Sequence, residues 1–238
     1  MDINKKEEIL ELYKGLRVTD VNDGLDAVGL QNICIVDRAI RPLWRDTENL
    51  KHISIGFAFT IRYLPANEAI HSTSIEDYLE KKVHWYNNLA PNNGWMQKLQ
   101  KYDFLVMDCD TNTDVGFIGS ENSINWMNHG AVGIVTNGGC RDTDEVIRQH
   151  LPIYSKYVGR GIRPGRIFLD GFGMNVNVGS VLFRPGDLVV ADGDGVVVVP
   201  IEKVYDVAKV ARMIADEDKA KRRDHYAKAG YEADSTMF

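Results

Sequence analysis

The sequence predicts a single α/β domain, and three of its features support that fold class. Short apolar runs rich in β-branched residues alternate with segments of helical periodicity. Glycine-rich turns separate the later apolar runs. No internal repeat or low-complexity linker divides the 238 residues, so we expect one domain over residues 1–238.

The composition limits the classes of partner. The chain is 44% hydrophobic and 26% charged, which is typical of a globular protein, and its net charge is −6. A negative net charge disfavours a nucleic acid as the main partner, because phosphate binding needs a basic surface. No apolar run approaches the length of a membrane span, so we expect no membrane partner.

The three cysteines, Cys34, Cys109 and Cys140, lack the spacing of a metal site. We therefore expect reduced thiols and a cytoplasmic location. Charged residues near the N-terminus stand where a signal peptide would be apolar, which agrees with that location. Cys140 is either a reactive nucleophile of lowered pKa or a small apolar filler, and the sequence favours the filler because no histidine is near.

Two helices are predicted within residues 1–30, where apolar stripes end at Gly15 and Gly29. Strands are predicted at 33–36 and 54–63. Residues 64–101 contain a predicted helix near 74–86 and a polar loop, and we interpret them as an insertion that shapes substrate choice or a subunit contact.

The stretch from 116 to 145 is the centre of the functional prediction. Ser120 is the expected N-cap of a short helix that ends at Gly130. Free amides at Glu121, Asn122 and Ser123 would then form a seat for a carboxylate or phosphate. We call this helix N-terminus the anion seat.

A buried strand at 131–136 follows, and a glycine-rich loop at 137–140 leads to Arg141 and Asp142. A guanidinium beside a carboxylate can bind an acid group with one side chain and a divalent cation with the other. The alternative is structural: Asp142 caps the next helix, while Asp144 and Glu145 complement its dipole.

Toward the C-terminus, strands at 176–183 and 188–191 are expected to pair across the turn at 184–187. Residues 192–195 predict a tight hairpin turn rather than a calcium loop. Residues 201–238 are expected to hold a long helix and a tail, with a highly charged distal half.

Four stretches, 19–26, 56–62, 116–145 and 184–200, together resemble the RraA-like family, which includes the class II pyruvate aldolases acting on 4-hydroxy-4-methyl-2-oxoglutarate and 4-carboxy-4-hydroxy-2-oxoadipate. The family signature is an acidic residue followed by Arg-Asp at the spacing that separates Ser120 from Arg141. Ser120 departs from it, because the family's aldolases carry Asp there.

The resemblance implies a swivelling β/β/α sandwich like that of phosphohistidine domains, with flanking N- and C-terminal helices. It also implies a homotrimer or a dimer of trimers with active sites between subunits. The C-terminal helix would bring a glutamate to the neighbouring subunit's site, and Glu217 is the candidate, with Asp218 behind it. The alternative for both is a solvated charge run.

The implied activity is that of a divalent-metal-dependent lyase on a short 2-oxo acid, by aldol cleavage or oxaloacetate decarboxylation through pyruvate enolate. Asp142 would bind Mg²⁺ or Mn²⁺, and Arg141 and Glu217 would be catalytic. The substrate would be bound by Gly119, Ser120, Glu121, Asn122 and Arg141. The alternatives are a non-catalytic regulatory protein of the same family and a lyase or hydratase for a sugar-derived acid.

Overall fold

A computed structural model describes residues 1–237, and nine strands of that range form one mixed sheet. The strands of the sheet are β1 (Arg41–Pro42), β2 (Ser54–Pro65), β3 (Asp103–Asp108), β4 (Gly116–Ile118), β5 (Ala131–Cys140), β6 (Ile153–Val158), β7 (Ile167–Phe172), β10 (Leu188–Asp192) and β11 (Gly195–Val199). A separate hairpin pairs β8 (Val176–Val178) with β9 (Val181–Phe183). The last residue of the predicted tail, Phe238, lies outside the described residues.

Seven helices flank these strands within the described range. They are α1 (Ile3–Tyr13), α2 (Val18–Ala27), α3 (Ile75–His84), α4 (Asn93–Met96), α5 (Ser120–Asn128), α6 (Thr143–Arg148) and α7 (Val204–Ala229). A π-helical turn, Trp85–Leu89, continues α3, and 3₁₀ turns at Ile201–Lys203 and Ser235–Met237 flank α7. None of the helices in residues 1–237 combines the length and apolar character that crossing a membrane requires.

The sheet has the strand order β1-β6-β5-β3-β2-β10-β11, with β4 added to β5 and β7 added to β2. Its centre is parallel, from β2 through β3 and β5 to β6, and its outer pairs are antiparallel. The edge strands β1 and β11 approach each other, so the sheet is barrel-like and nearly closed. The more specific swivelling-sandwich assignment stays a prediction.

Side chains on the two faces of the sheet build two cores. Phe104 and Val106 of β3 join a cluster with α1, α2 and α7, whereas Leu105 and Met107 join a second cluster rich in aromatic residues. This alternation is the period of two that a strand imposes on its side chains. Trp85, Trp95 and Trp126 fill the second core, so residues 75–99 are packed into the domain through their tryptophans.

Two strand predictions were wrong. The run at 33–36 makes a single bridge, between Ile35 and Val197, because the chain turns at once through a hydrogen bond from Ile40 N to Asp37 O of 2.9 Å. Residues 176–183 fold back on themselves rather than pairing with β10. The chain reverses at Gly179 and Ser180, whose φ angles of 58° and 65° suit a tight turn and interrupt an extended strand.

The expected loop at 137–140 is also wrong, because β5 runs to Cys140. Its glycines serve close packing. A Cβ on Gly138 would lie 2.7 Å from the Phe117 ring, and one on Gly139 would lie 2.5 Å from both Val115 O and the Tyr157 ring. Neighbouring rings and the Val115 carbonyl therefore occupy the space that a residue larger than glycine would need.

We predict that Gly139→Ala destabilises the protein by about 1–3 kcal/mol, because the added methyl meets a backbone carbonyl that cannot move aside cheaply. Chemical denaturation followed by circular dichroism would measure the change. Gly94→Ala is the control, since nothing lies within 4 Å of its Cβ position, and it should leave stability nearly unchanged. Equal stability of the two variants would contradict this account of β5.

Candidate functional site

The end of β5 and the start of α5 are joined by the short strand β4. The Arg141 amide donates to Ile118 O at 2.8 Å, and Gly116 pairs with Gly139 in the parallel ladder. Since β4 leads directly into Gly119 and α5, this pairing places Arg141 and Asp142 beside the N-terminus of α5. The two parts of the predicted site are therefore adjacent in one chain.

Asp142 occupies the N-cap position of α6, as the structural alternative proposed, but its side chain makes no capping hydrogen bond. Its backbone carbonyl accepts from the amides of Glu145 and Val146 at 3.1 and 3.0 Å. The residue has a φ of 55°, a left-handed conformation that is uncommon for a residue with a side chain. This conformation leaves the carboxylate available for another partner.

The Asp142 carboxylate lies against Gly119. A Cβ on Gly119 would be 2.7 Å from Asp142 Oδ2, so a larger residue would displace that oxygen. Arg141 Nε lies 3.5 Å from the same oxygen. The side chains of Arg141 and Asp142 are 35% and 37% exposed, which places the pair on an open surface of the single chain. A cavity of about 470 Å³ is lined by α6, including Glu145, and two others, of about 470 and 320 Å³, lie elsewhere.

The expectation that Ser120 caps α5 was wrong by one residue. Gly119 is the N-cap, and its carbonyl accepts from both the amide and the hydroxyl of Ser123, at 2.9 and 2.8 Å. The amides that lack a partner inside the helix are therefore those of Ser120, Glu121 and Asn122, while that of Ser123 is used. The anion seat is present and begins one residue earlier than predicted.

Ser120 has a different role. Its buried hydroxyl donates a short hydrogen bond to Oε2 of Glu145. Glu145 lies three residues after Asp142, on the same side of the first turn of α6. The sequence predicts Glu145 only as a complement to the helix dipole, but its spacing of three residues from Asp142 is a signal that identifies it as a second carboxylate of the site. The structure thus places a carboxylate beside position 120, where the family's aldolases carry their own.

The other predicted residues divide between the first turn of α5 and a different surface, on α7. Asn122 accepts from Asn92 Nδ2 at 2.9 Å, which links the anion seat to residues 64–101. Glu217 lies on α7, where it pairs with Lys221 at 2.6 Å, and Asp218 lies 3.6 Å from Arg17. Within one chain the structure does not bring Glu217 to Arg141, so its delivery to a neighbouring subunit stays a prediction.

The alternative role of Cys140 as a nucleophile is not supported. Burial, together with the smaller effect of the nearby Asp142 carboxylate, raises the pKa of the Cys140 thiol to about 12. A thiol with this pKa is protonated at neutral pH and is a poor nucleophile. Cys34 and Cys109 are also free and buried, as expected for reduced thiols.

Within residues 1–237, no three His, Cys, Asp or Glu side chains are close enough together to hold a metal ion on their own. Mg²⁺ does not require such a group, because it usually keeps several waters and binds through one or two carboxylates together with its substrate. Asp142, exposed and free of capping bonds, and Glu145, one turn away, fit that mode of binding.

The chain is similar in sequence to two curated proteins. Protein DlpA of Legionella pneumophila is 24% identical over 188 residues, covering 79% of this chain and 27% of that protein. A protein of Halalkalibacterium halodurans named "Putative 4-hydroxy-4-methyl-2-oxoglutarate aldolase" is 35% identical over 98 residues, covering 40% of this chain and 44% of its own. The matched regions therefore span less than half of these curated relatives.

The crystal structure of Streptomyces coelicolor RraAS2, described as an unusual member of the RNase ES inhibitor RraA protein family, has the same fold. Its TM-score is 0.74 at 22% identity, over 91% of this chain and 98% of that one. The model of the RraA-like family, described as Aldolase/RraA, matches residues 18–198. The chain therefore belongs to the RraA-like family.

Proposed function

We propose that this chain is a divalent-metal-dependent carbon–carbon lyase that acts on a short 2-oxo acid. The observation that carries the proposal is the meeting of Arg141, Asp142 and the N-terminus of α5 at Gly119. The name of the Halalkalibacterium relative supports an aldolase reaction, and oxaloacetate decarboxylation is the related possibility for the same site. Both reactions break the C3–C4 bond and leave the electron pair in pyruvate enolate.

The anion seat binds the substrate carboxylate in this proposal. The amides of Ser120, Glu121 and Asn122 point outward at the positive end of the dipole of α5. Gly119 lets the ligand and the Asp142 carboxylate approach the backbone closely, because it has no Cβ. The seat therefore fixes the acid end of the substrate and leaves its carbonyl toward Arg141.

Arg141 stabilises the negative charge that grows on the substrate's carbonyl oxygen as the C3–C4 bond breaks. Its pairing with Asp142 does not prevent this role. The distance of 3.5 Å is long, both side chains are more than one-third exposed, and such pairs contribute about 0–1 kcal/mol. A bound acid group can therefore compete for the guanidinium.

Mg²⁺ or Mn²⁺ would be held by Asp142, with Glu145 beside it, and when bound would supply Lewis-acid polarisation of the substrate's oxygens. Ser120 orients Glu145 through its hydroxyl. The serine at position 120 thus keeps a carboxylate at the site although it carries none itself.

Glu217 of a neighbouring subunit would accept the proton of the 4-hydroxyl group, directly or through a water molecule, as C4 becomes a carbonyl. The hydrogen bond from Lys221 lowers the pKa of Glu217, so the carboxylate is ionised at neutral pH, although the same hydrogen bond makes it a weaker base. This role requires the homotrimer or dimer of trimers that we also propose, since the site faces an open surface in one chain.

We predict that wild-type protein with Mg²⁺ or Mn²⁺ releases pyruvate from a 4-hydroxy-2-oxo acid or from oxaloacetate, and that Asp142→Asn lowers kcat/KM at least about 100-fold, or about 2.7 kcal/mol. A lactate dehydrogenase couple measures pyruvate, and circular dichroism verifies the fold. Asp144→Asn is the matched control, since Asp144 is an exposed carboxylate on the same helix, and it should retain activity.

Full activity of Asp142→Asn, or of enzyme treated with a chelator, would disprove the metal assignment. Absence of pyruvate from every substrate in a panel of oxaloacetate, 4-hydroxy-2-oxo acids and sugar acids would disprove the pyruvate-forming lyase proposal.

A second prediction concerns position 120. Ser120→Asp would bring a carboxylate against Glu145, and the repulsion should lower Tm in the presence of a chelator. Millimolar Mg²⁺ should restore Tm, because a cation between the two carboxylates removes the repulsion, with about 2–4 °C expected per kcal/mol. Differential scanning fluorimetry measures both effects. Ser120→Asn, which adds no charge, should show no comparable Mg²⁺-dependent gain, and an equal gain in both variants would contradict a cation site here.

A further inference from the structure

Arg163 is a charged residue that the proposed function does not use, and it is 1% exposed. It lies in the loop between β6 and β7. Its Nε and one terminal nitrogen donate to Phe117 O at 3.2 and 3.0 Å, and the other terminal nitrogen donates to Ala90 O at 3.3 Å and to Asn92 Oδ1. All of these acceptors are neutral, and within residues 1–237 no carboxylate forms an ion pair with Arg163.

Aromatic rings complete the surroundings of the guanidinium. Its central carbon lies 5.2 Å from the centroid of Tyr63, 5.8 Å from that of Trp126 and 6.0 Å from that of Phe117. Burial of an unpaired charge is costly, and hydrogen bonds and cation–π contacts offset part of that cost without neutralising the charge. Arg163 therefore places a positive charge that no carboxylate pairs with, among residues 1–237, in the interior next to α5.

This charge is connected to the anion seat at two points. Phe117 lies two residues before Gly119, so Arg163 holds the strand that leads into the seat. Asn92 accepts from Arg163 and donates to Asn122 Oδ1 at 2.9 Å, so Arg163 also supports the first turn of α5. A positive charge in a poorly solvated interior is weakly screened and adds to the potential at the helix N-terminus.

An electrostatic effect on a neighbour agrees with this placement. Burial raises the pKa of Tyr86, in the π-helical turn, and the positive charges of Arg163 and Arg141 oppose that rise. Both guanidinium groups therefore act on the region where residues 85–92 meet the site.

We propose that Arg163 is a positioning residue whose buried, unneutralised charge strengthens the binding of carboxylate ligands at the anion seat. The inference rests on the proposed function, because it takes the oxo acid's carboxylate as the ligand of the seat. The competing explanation is purely structural. In that case Arg163 only links residues 90–92 to β4 through hydrogen bonds, and its charge has no effect on ligand binding.

The test is Asn92→Asp, which converts the neutral acceptor of Arg163 into a carboxylate of the same shape. The Asn92 side chain makes no capping hydrogen bond to α4, and the half-buried position can accommodate the charge as an ion pair with Arg163. We expect the dissociation constant for oxalate, a small dianion resembling the enolate, to rise about tenfold or more by isothermal titration calorimetry with Mg²⁺ present, while Tm is unchanged or higher. A purely structural role predicts unchanged oxalate binding.

Two further variants separate charge from hydrogen bonding. Asn92→Ala removes the same hydrogen bond to Asn122 but adds no charge, so it should weaken oxalate binding much less than Asn92→Asp does. Arg163→Lys keeps the charge and loses the planar set of donors, so it should lower Tm while oxalate binding stays within a few-fold of wild type. A loss of oxalate affinity in Asn92→Ala equal to that in Asn92→Asp would overturn the role of the charge.

The same measurements distinguish failure of the Arg163 proposal from failure of the lyase proposal. If wild type binds oxalate and Asn92→Asp binds it equally well, the role of Arg163 is wrong and the lyase proposal stands. If Asn92→Asp weakens oxalate binding but no 2-oxo acid yields pyruvate with wild type, the charge acts at the seat and the lyase proposal is wrong. Failure of wild type to bind oxalate would overturn the carboxylate seat and the inference together.

Discussion

The parallel contact between β4 and the end of β5 determines the geometry of the candidate site. One backbone hydrogen bond, from the Arg141 amide to Ile118 O, joins the strand that delivers the Arg-Asp pair to the strand that opens α5. The contact depends on glycine, because a Cβ at position 116 would lie 2.6 Å from the Cβ of Arg141. The glycines around Arg141 are thus a packing requirement of the sheet, and the site follows from that packing.

The same contact explains how a chain with serine at position 120 can keep an acidic site. The adjacency of α5 and α6 allows the Ser120 hydroxyl to reach Glu145, so a carboxylate from the next helix lies where the family's aldolases have one from α5. Asp142 contributes through its left-handed backbone, which frees its carboxylate from helix capping. The negative charge of the candidate site therefore depends on both α5, which provides Ser120, and α6, which provides Glu145 and begins at Asp142.

Residues 64–101 belong to this arrangement through polar contacts as well as packing. Trp85 and Trp95 are buried in the aromatic core, and the Trp85 indole donates to Ile167 O at 2.9 Å. Asn92 then bridges Arg163 and Asn122. Residues 64–101 therefore contact the first turn of α5, which is the part of the candidate site that would bind an anion.

The sequence alone determined much of the fold and the residues at the centre of the candidate site. Hydrophobic periodicity located helices near both termini, the long strand β2 and the start of β5, because those patterns reflect burial on one or two faces. The resemblance identified the family, and local motifs were enough to locate the Arg141-Asp142 pair and the helix that follows position 119. Local patterns carry such information, since they depend on neighbours in the chain.

Only the tertiary structure decided the contacts between segments far apart in sequence. The glycines at 138 and 139 suggested a loop, and only the closeness of Phe117 to the first and of Val115 and Tyr157 to the second shows why a strand needs them. The hydrogen bond between Ser120 and Glu145 and the burial of Arg163 without a carboxylate depend on how β4, α5, α6 and residues 90–92 pack. Sequence periodicity reports which side of an element is buried and does not report what lies against it, so these contacts had to come from the packed fold.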